Sequence, residues 1–361
     1  MEFQSNIKTF LSSSAFVAAI ISSPLQAGQV TFTEIPTDIT TRESLSNVSV
    51  SDEGTVVFSH NHDLYKWNSL NGLVTLGEFP EVPFFFTNGT YAGPQTPFVD
   101  ANISADGQVI AFNYFSSSDL LYRATDGSYL AYVYVNDTLE HVLGDDNLHT
   151  NRAKDLSPDG TTLGGAISIG EISEETYTYI PNSFMWSGQD LSVQGQNTHF
   201  SYDTNKFTLG DRLFTIDTDG NRTSQVIPQM HKTSFNWTHV RDISGDGNIV
   251  IGRFDDFKPG RWNSTTDTLD DLGAGITPQS TNYDGSIIIG LYGGIWDEVN
   301  GTRNIRDMLS TSGIDLSDWR YIRLSEISKD GTYIVGWGEN PEGFVRAFLI
   351  TSIPECTAGL F

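Results

Sequence analysis

The chain has 361 residues and carries 45 acidic side chains against 20 Lys and Arg, a formal charge of −25. That balance excludes nucleic acid as a partner, because neutralising phosphates takes a basic face. A single cysteine, Cys356, excludes an intramolecular disulfide, so packing alone must hold the fold.

Residues 1–27 read as a secretory signal. Lys8 lies in a short polar start, an apolar run extends from Phe10 to Ile21, and Ser22-Ser23-Pro24-Leu25-Gln26-Ala27 forms a cleavage region. The run is shorter than the roughly 20 residues a membrane helix needs, and no later stretch is long enough. The mature chain from Gly28 is therefore expected to be exported, extracellular or periplasmic, with no membrane span. Next comes Val30-Thr31-Phe32-Thr33-Glu34-Ile35-Pro36, which parallels Val74-Thr75-Leu76-Gly77-Glu78-Phe79-Pro80 nearly position by position.

One phrase then recurs: a short strand, Ser-x-Asp-Gly, and a hydrophobic strand. It is anchored at Ser51, Ser104, Ser157, Ser244, Asn282 and Ser328, with a degenerate copy at Ser201-Tyr202-Asp203-Thr204. A period of about 40 to 50 residues marks a solenoid or a propeller. Asp-Gly suits a tight hairpin, since Gly tolerates positive φ and the Asp side chain bonds its own backbone.

The first unit reads as four strands: Asn47 to Ser49, Thr55 to Phe58, Leu64 to Trp67 and Leu73 to Gly77. Third strands recur at Leu64-Trp67, Tyr132-Tyr134, Ser183-Trp186, Leu213-Ile216, Gly260-Trp262, Gly294-Trp296 and Ala347-Ile350, and their large side chains are expected to be core. The last unit stops after its third strand while a spare strand stands at the N-terminus. Circular closure accounts for both and removes exposed edges. The expected fold is all-β: a single seven-bladed β-propeller over residues 28–353, closed by the N-terminal strand, with a short tail over 354–361.

Short links join the first and second, and the third and fourth, strands of each unit. Long links (79–99, 113–128, 170–181 and 230–239) gather on the other face, where binding residues are expected. Six of seven histidines fall in or beside those links: His60, His62, His149, His199, His231 and His239. His60 and His62 share one side of an extended segment, as half of a metal site would; no cofactor or metal follows from this alone. Phe84-Phe85-Phe86, Tyr91, Phe98, Trp237, Trp319 and Trp337 supply aromatics for stacking on sugar or docking protein. The candidate ligand-binding set is His60, His62, Tyr91, His149, His231, Trp237 and His239. Asp217-Thr218-Asp219-Gly220-Asn221 looks calcium-like but lacks the later glutamate and reads as a turn.

Two segments, Ile314-Asp315-Leu316-Ser317-Asp318-Trp319 and Ile327 through Gly343, followed by Ala347-Phe348, carry a family signature. Ile249-Val250-Ile251-Gly252, through Trp262 to Leu269-Asp270-Asp271-Leu272-Gly273, repeats it more loosely. In these residues the chain resembles the HAF-type extracellular repeat proteins of bacteria. The resemblance implies propeller-like repeats and export, and brings no catalytic residues. Relatives often end in a proline-glutamate-proline sorting tail; here Ile353-Pro354-Glu355-Cys356 departs from it, which favours free secretion or periplasmic residence over an envelope anchor.

No Gly-rich phosphate loop, Gly-x-Ser-x-Gly elbow, Cys-x-x-Cys pair or His-Glu-x-x-His helix occurs. The expected function is a secreted, monomeric, non-catalytic propeller that recognises an extracellular glycan or surface protein through its long-loop face. The alternatives are a polysaccharide lyase or hydrolase with a His/Tyr or metal-assisted site on that face, and an assembly protein docked through its aromatic loop.

Overall fold

The computed structural model describes residues 30–36, 45–60, 63–78, 82–85, 91–95, 101–115, 129–135, 138–141, 150–160, 163–169, 173–180, 184–187, 198–202, 205–228 and 240–351. The signal and tail readings, and His62, His149, His231, Trp237 and His239, lie outside the described residues.

The fold is all-β and antiparallel. β1 (Thr31–Glu34) is followed by β2 (Ser46–Val50), β3 (Val56–His60), β4 (Asp63–Asn68) and β5 (Gly72–Glu78), which form one sheet. A two-stranded ribbon, β6 (Val82–Phe85) and β7 (Tyr91–Gln95), precedes β8 (Ala101–Ile103), β9 (Val109–Phe115), β10 (Tyr129–Val135) and β11 (Thr138–His141). The next sheet holds β12 (Thr150–Leu156), β13 (Leu163–Ile169), β14 (Ser173–Ile180) and β15 (Phe184–Ser187). The one after it holds β16 (Thr198–Phe200), β17 (Lys206–Leu209), β18 (Arg212–Ile216) and β19 (Arg222–Val226). Then come β20 (Val240–Ile243), β21 (Ile249–Arg253), β22 (Pro259–Asn263) and β23 (Thr268–Asp271), followed by β24 (Pro278–Thr281), β25 (Ile287–Gly290), β26 (Gly294–Asp297) and β27 (Gly301–Asn304). After helix α1 (Ile305–Thr311), β28 (Tyr321–Ile327), β29 (Tyr333–Glu339) and β30 (Val345–Thr351) complete the chain, and β1 pairs with β30 as that sheet's fourth strand. Among the described residues this makes seven four-stranded sheets and one ribbon. The innermost strands β2, β8, β12, β16, β20, β24 and β28 touch in turn, and β28 touches β2. This is a β-propeller.

The Ser-x-Asp-Gly turn builds each sheet's inner edge. Ser104 Oγ accepts the Val109 N–H (3.0 Å) and donates to Asp106 Oδ1 (2.6 Å), which in turn accepts the Gln108 N–H (3.0 Å). Ser244 and Ser328 repeat the pattern. Asn282 substitutes chemically: its Oδ1 accepts the Ile287 N–H while its Nδ2 donates to Asp284. The turn also joins neighbours, because the residue after the anchor donates its N–H to the next sheet. Asp52 bonds Ala105 O (2.8 Å), Ala105 bonds Pro158 O (2.7 Å), Tyr202 bonds Gly245 O (2.7 Å) and Tyr283 bonds Lys329 O (2.6 Å).

Apolar side chains fill the spaces between sheets. Val57 and Leu64 pack on Ala101, Ile110 and Phe112. Val48, Val50, Phe58 and Trp67 of the first sheet pack on Val335, Ala347 and Leu349 of the last. Of the expected core aromatics, Trp67 and Trp262 are buried and Trp296 is half-buried under the Arg261 guanidinium.

Three expectations are corrected. Ser183-Trp186 is not a third strand: β14, inside the predicted 170–181 loop, takes that place, and Phe184–Ser187 is the fourth strand. The alternation Thr176-Tyr177-Thr178-Tyr179-Ile180 was the strand signal, hidden behind Glu174-Glu175. The 79–99 link carries the β6–β7 ribbon, which pairs Phe85 with Tyr91. Trp319 is core, edge-on to Phe32 (5.2 Å) and Phe348 (5.8 Å), and Trp337 is a partly buried residue of β29 packed by Arg323 and Tyr321, so neither is a stacking platform.

The turn glycines differ in one testable respect. Gly285 and Gly72 both have positive φ, but a Cβ on Gly285 would meet Ile249 at 2.5 Å, whereas one on Gly72 would meet nothing within 4 Å. Gly72→Ala should cost about 1–2 kcal/mol of backbone strain, and Gly285→Ala about 1–3 kcal/mol more for overpacking. Urea denaturation of both measures this; equal losses would contradict the inter-sheet contact.

Candidate functional site in the axial channel

An innermost strand has a free edge, and its N–H groups facing the axis need acceptors. The sequence answers from one position, two residues before each anchor: Ser49, Asn102, Asp155, His199, Asp242, Ser280 and Glu326. All seven line a single axial cavity of about 220 Å³. Four of the side chains reach the neighbouring sheet's backbone one position further on. Ser49 Oγ accepts the Ile103 N–H (3.2 Å), Asp155 Oδ2 the Phe200 N–H (3.1 Å), Asp242 Oδ2 the Thr281 N–H (2.9 Å) and Ser280 Oγ the Ile327 N–H (3.5 Å). Glu326 stands across the junction of last and first sheets, near enough to Ser49 and the Val50 backbone for both to act on its carboxyl.

A β-bulge aims these residues. Pairing with the second strand shifts register between Ser46 and Ser49, Ala153 and Asp155, Val240 and Asp242, Pro278 and Ser280, and Leu324 and Glu326. The extra residue turns the strand so that two consecutive side chains face the axis. Arg241, Gln279 and Ser325 therefore line the cavity beside the ring residues that follow them.

Charge in the channel is mixed. Lys329 Nζ spans it to Asp242 Oδ2 (3.2 Å) and Oδ1 (3.4 Å), and to the carbonyls of Ile243 (3.2 Å) and Thr281 (3.3 Å). Burial alone would lower its pKa, but Asp242, Asp155 and Glu326 more than offset that and hold it raised. Burial pushes Asp155 well above the usual carboxylate range, with the like charges of Asp242 and Glu326 adding to it. Burial likewise raises Glu326 to about 7, against the opposing hydrogen bonds from Ser49 and Val50. Burial lowers His199 to about 4. His199 Nδ1 stands 3.8 Å from Asp155 Oδ2, but a neutral imidazole at that distance makes neither an ion pair nor a hydrogen bond.

Of the sequence-predicted site residues, His60 is buried at the end of β3, in register with Asp63. Tyr91 lies in the β6–β7 ribbon, apart from the channel-lining strands. His199, noted only as a loop histidine, belongs to the channel. Asp217 accepts from Asp219 N–H, Asn221 N–H and Asn221 Nδ2, which makes that segment a turn as expected. Among the described residues no group of three or more His, Cys, Asp or Glu is arranged to hold a metal, and no helix is long and apolar enough to cross a membrane. The channel residues were missed because attention fell on loops. Their signal was a polar side chain two residues before every anchor.

The fold and this site together define a β-propeller with a polar axial channel. No protein-family model matches the chain, and no curated protein matches it. Among solved structures it is similar to a chain of the mitotic checkpoint complex, over 96% of this chain and 99% of that one, at 15% identity and a TM-score of 0.49. It is also similar to TolB from Acinetobacter baumannii, over 86% of this chain and 64% of that one, at 14% identity and a TM-score of 0.42.

Two channel groups act oppositely on stability. Glu326 keeps its proton to about pH 7 in the folded chain against an ordinary value of 4.5, so its contribution is full below pH 4.5 and is lost as the pH rises to 7. His199, lowered from 6.5 to about 4, contributes in full above pH 6.5 and loses that contribution as the pH falls to 4. Glu326→Gln removes only the first effect. Relative to the parent, its unfolding free energy should rise by roughly 3 kcal/mol between pH 4.5 and 7, read from urea melts at each pH. A difference flat across that window would refute the assignment.

Proposed function

We propose that this chain is a β-propeller binding protein, exported by its N-terminal signal, of the HAF-type repeat class, and acting as a monomer on an extracellular glycan or cell-surface partner. The observation that carries the reading is the axial cavity, to which every sheet contributes a polar side chain, four of them held by a neighbour's backbone. A rigid frame with fixed donors and acceptors is what recognition of a polar ligand requires. The long links over 79–99, 113–128 and 230–239, with Tyr91, His231, Trp237 and His239, provide the outer binding face in this proposal.

We also read the seven sheets as one seven-bladed ring closed by the N-terminal strand. The β1–β30 pairing and the burial of Ile35 support this. Deleting residues 30–36 should lower stability by at least about 2–3 kcal/mol, the burial of Ile35 alone. An unchanged thermal midpoint would rule closure out.

A second reading, a polysaccharide lyase or hydrolase, is favoured by one observation: Glu326 titrates near neutrality in the cavity that also holds Asp155 and His199, the range of a general acid. Incubation with neutral and anionic polysaccharides separates the two. The expected result is retention of protein on at least one polymer without new reducing or unsaturated ends. New ends that vanish in Glu326→Gln would replace the binding protein with an enzyme.

A further inference from the structure

The ring groups are not equally committed. Both oxygens of Asp242 and the ammonium of Lys329 are occupied by each other and by backbone. Gln279 and Arg241, brought to the axis by their bulges, have no hydrogen-bond partner among the described residues. Asp155 uses one oxygen on Phe200 N–H, and His199 has a ring nitrogen to offer. Beside these polar groups, Leu156 and Pro158 give the same cavity an apolar wall.

From this arrangement we propose that the axial cavity is a binding site for a single compact polyol ring, a pyranose or an inositol, taken free or as the end of a glycan chain. Each hydroxyl of such a ligand both donates and accepts, which matches a lining that holds the donors of Arg241 and Gln279 together with the acceptors of Asp155 and His199. Its C–H face suits Leu156 and Pro158. A small anion would meet the Asp242 carboxylate, and a small cation would meet Lys329 and Arg241, so neither is served as evenly. Room agrees, since a cavity of about 220 Å³ is large enough for one such ring. The neutral imidazole of His199 and the raised carboxyls of Asp155 and Glu326 keep the lining hydrogen-bonding in character with less fixed charge.

The inference rests on reading the chain as a glycan binder, and its test keeps the two apart. Full-length protein is titrated by calorimetry and by saturation-transfer NMR with glucose, galactose, mannose, glucuronate and myo-inositol. Glutamate and putrescine serve as charged controls. Parent, Gln279→Leu, Arg241→Leu and, as a control on an exposed turn away from the cavity, Leu70→Ala are compared, with thermal midpoints recorded. At least one polyol should bind, and each cavity variant should weaken it about tenfold, as expected for a lost hydrogen bond to a bound ligand, while Leu70→Ala leaves it unchanged. Methyl glycosides and short oligosaccharides then tell a free ligand from a chain end. No polyol binding, equal binding of the charged controls, or binding indifferent to both cavity variants overturns the proposal. Retention on polysaccharide that survives both variants would leave the glycan reading standing and remove the cavity from it. Binding of free polyol without retention on any polymer would keep the cavity and remove the polymer.

Discussion

The hydroxyl of the anchor serine is the contact on which the rest depends. It is buried at the innermost corner of its sheet, where it accepts the N–H that opens the second strand and donates to the turn aspartate. A buried hydroxyl that lost either partner would cost about as much as a lost hydrogen bond plus desolvation. With the corner set, the next residue's N–H points at the neighbouring sheet and spaces the sheets evenly. Where that backbone link fails, a carboxylate replaces it. Pro158 has no N–H to give the fourth sheet, and Asp155 accepts Phe200 N–H at that same junction. Between the last and first sheets, Asp52 accepts the Asp330 N–H (3.1 Å).

The polar channel follows from the same geometry. Packing sheets radially leaves seven strand edges around a space that inner apolar side chains do not close, and each edge exposes backbone donors to it. Ser49, Asp155, Asp242 and Ser280, two residues before their anchors, meet such donors, which is why polar groups stand at the centre of an otherwise apolar interior. Their first role is structural. What remains for a ligand is the surplus: the residues added by bulges, and the second valence of groups that the backbone uses only once.

The repeat was legible because the turn is a local device. Asp-Gly, the anchor serine and the hydrophobic strand after it recur wherever the corner recurs, and the first sheet's strands fell within two residues of their expected ends. Two features escaped for physical reasons. β14 is polar enough to pass for a loop, since its alternation is Glu, Thr and Tyr and not aliphatic. Trp319 sits in a link that sequence places at the surface, yet α1 and β28 enclose it with Phe32 and Phe348. The channel was half legible. Its polar column stands in the sequence, but only register with the anchor turns seven scattered side chains into one ring, and nothing local marks a bulge.

Repetition and variation divide the work between scaffold and site. The anchor position reads Ser, Ser, Ser, Ser, Ser, Asn and Ser, because every sheet meets the same corner. Two residues earlier it reads Ser, Asn, Asp, His, Asp, Ser and Glu, although the backbone donor to be met is equivalent each time. Serine or asparagine would satisfy that donor at lower desolvation cost than a carboxylate. The carboxylates and the imidazole therefore exceed what the frame requires. Three of the four, Asp155, His199 and Asp242, stand in the third to fifth sheets, while Glu326 and Lys329 come from the last. Equivalent sheets with unequal linings make the cavity asymmetric, and that asymmetry is the part of this channel that folding alone does not explain.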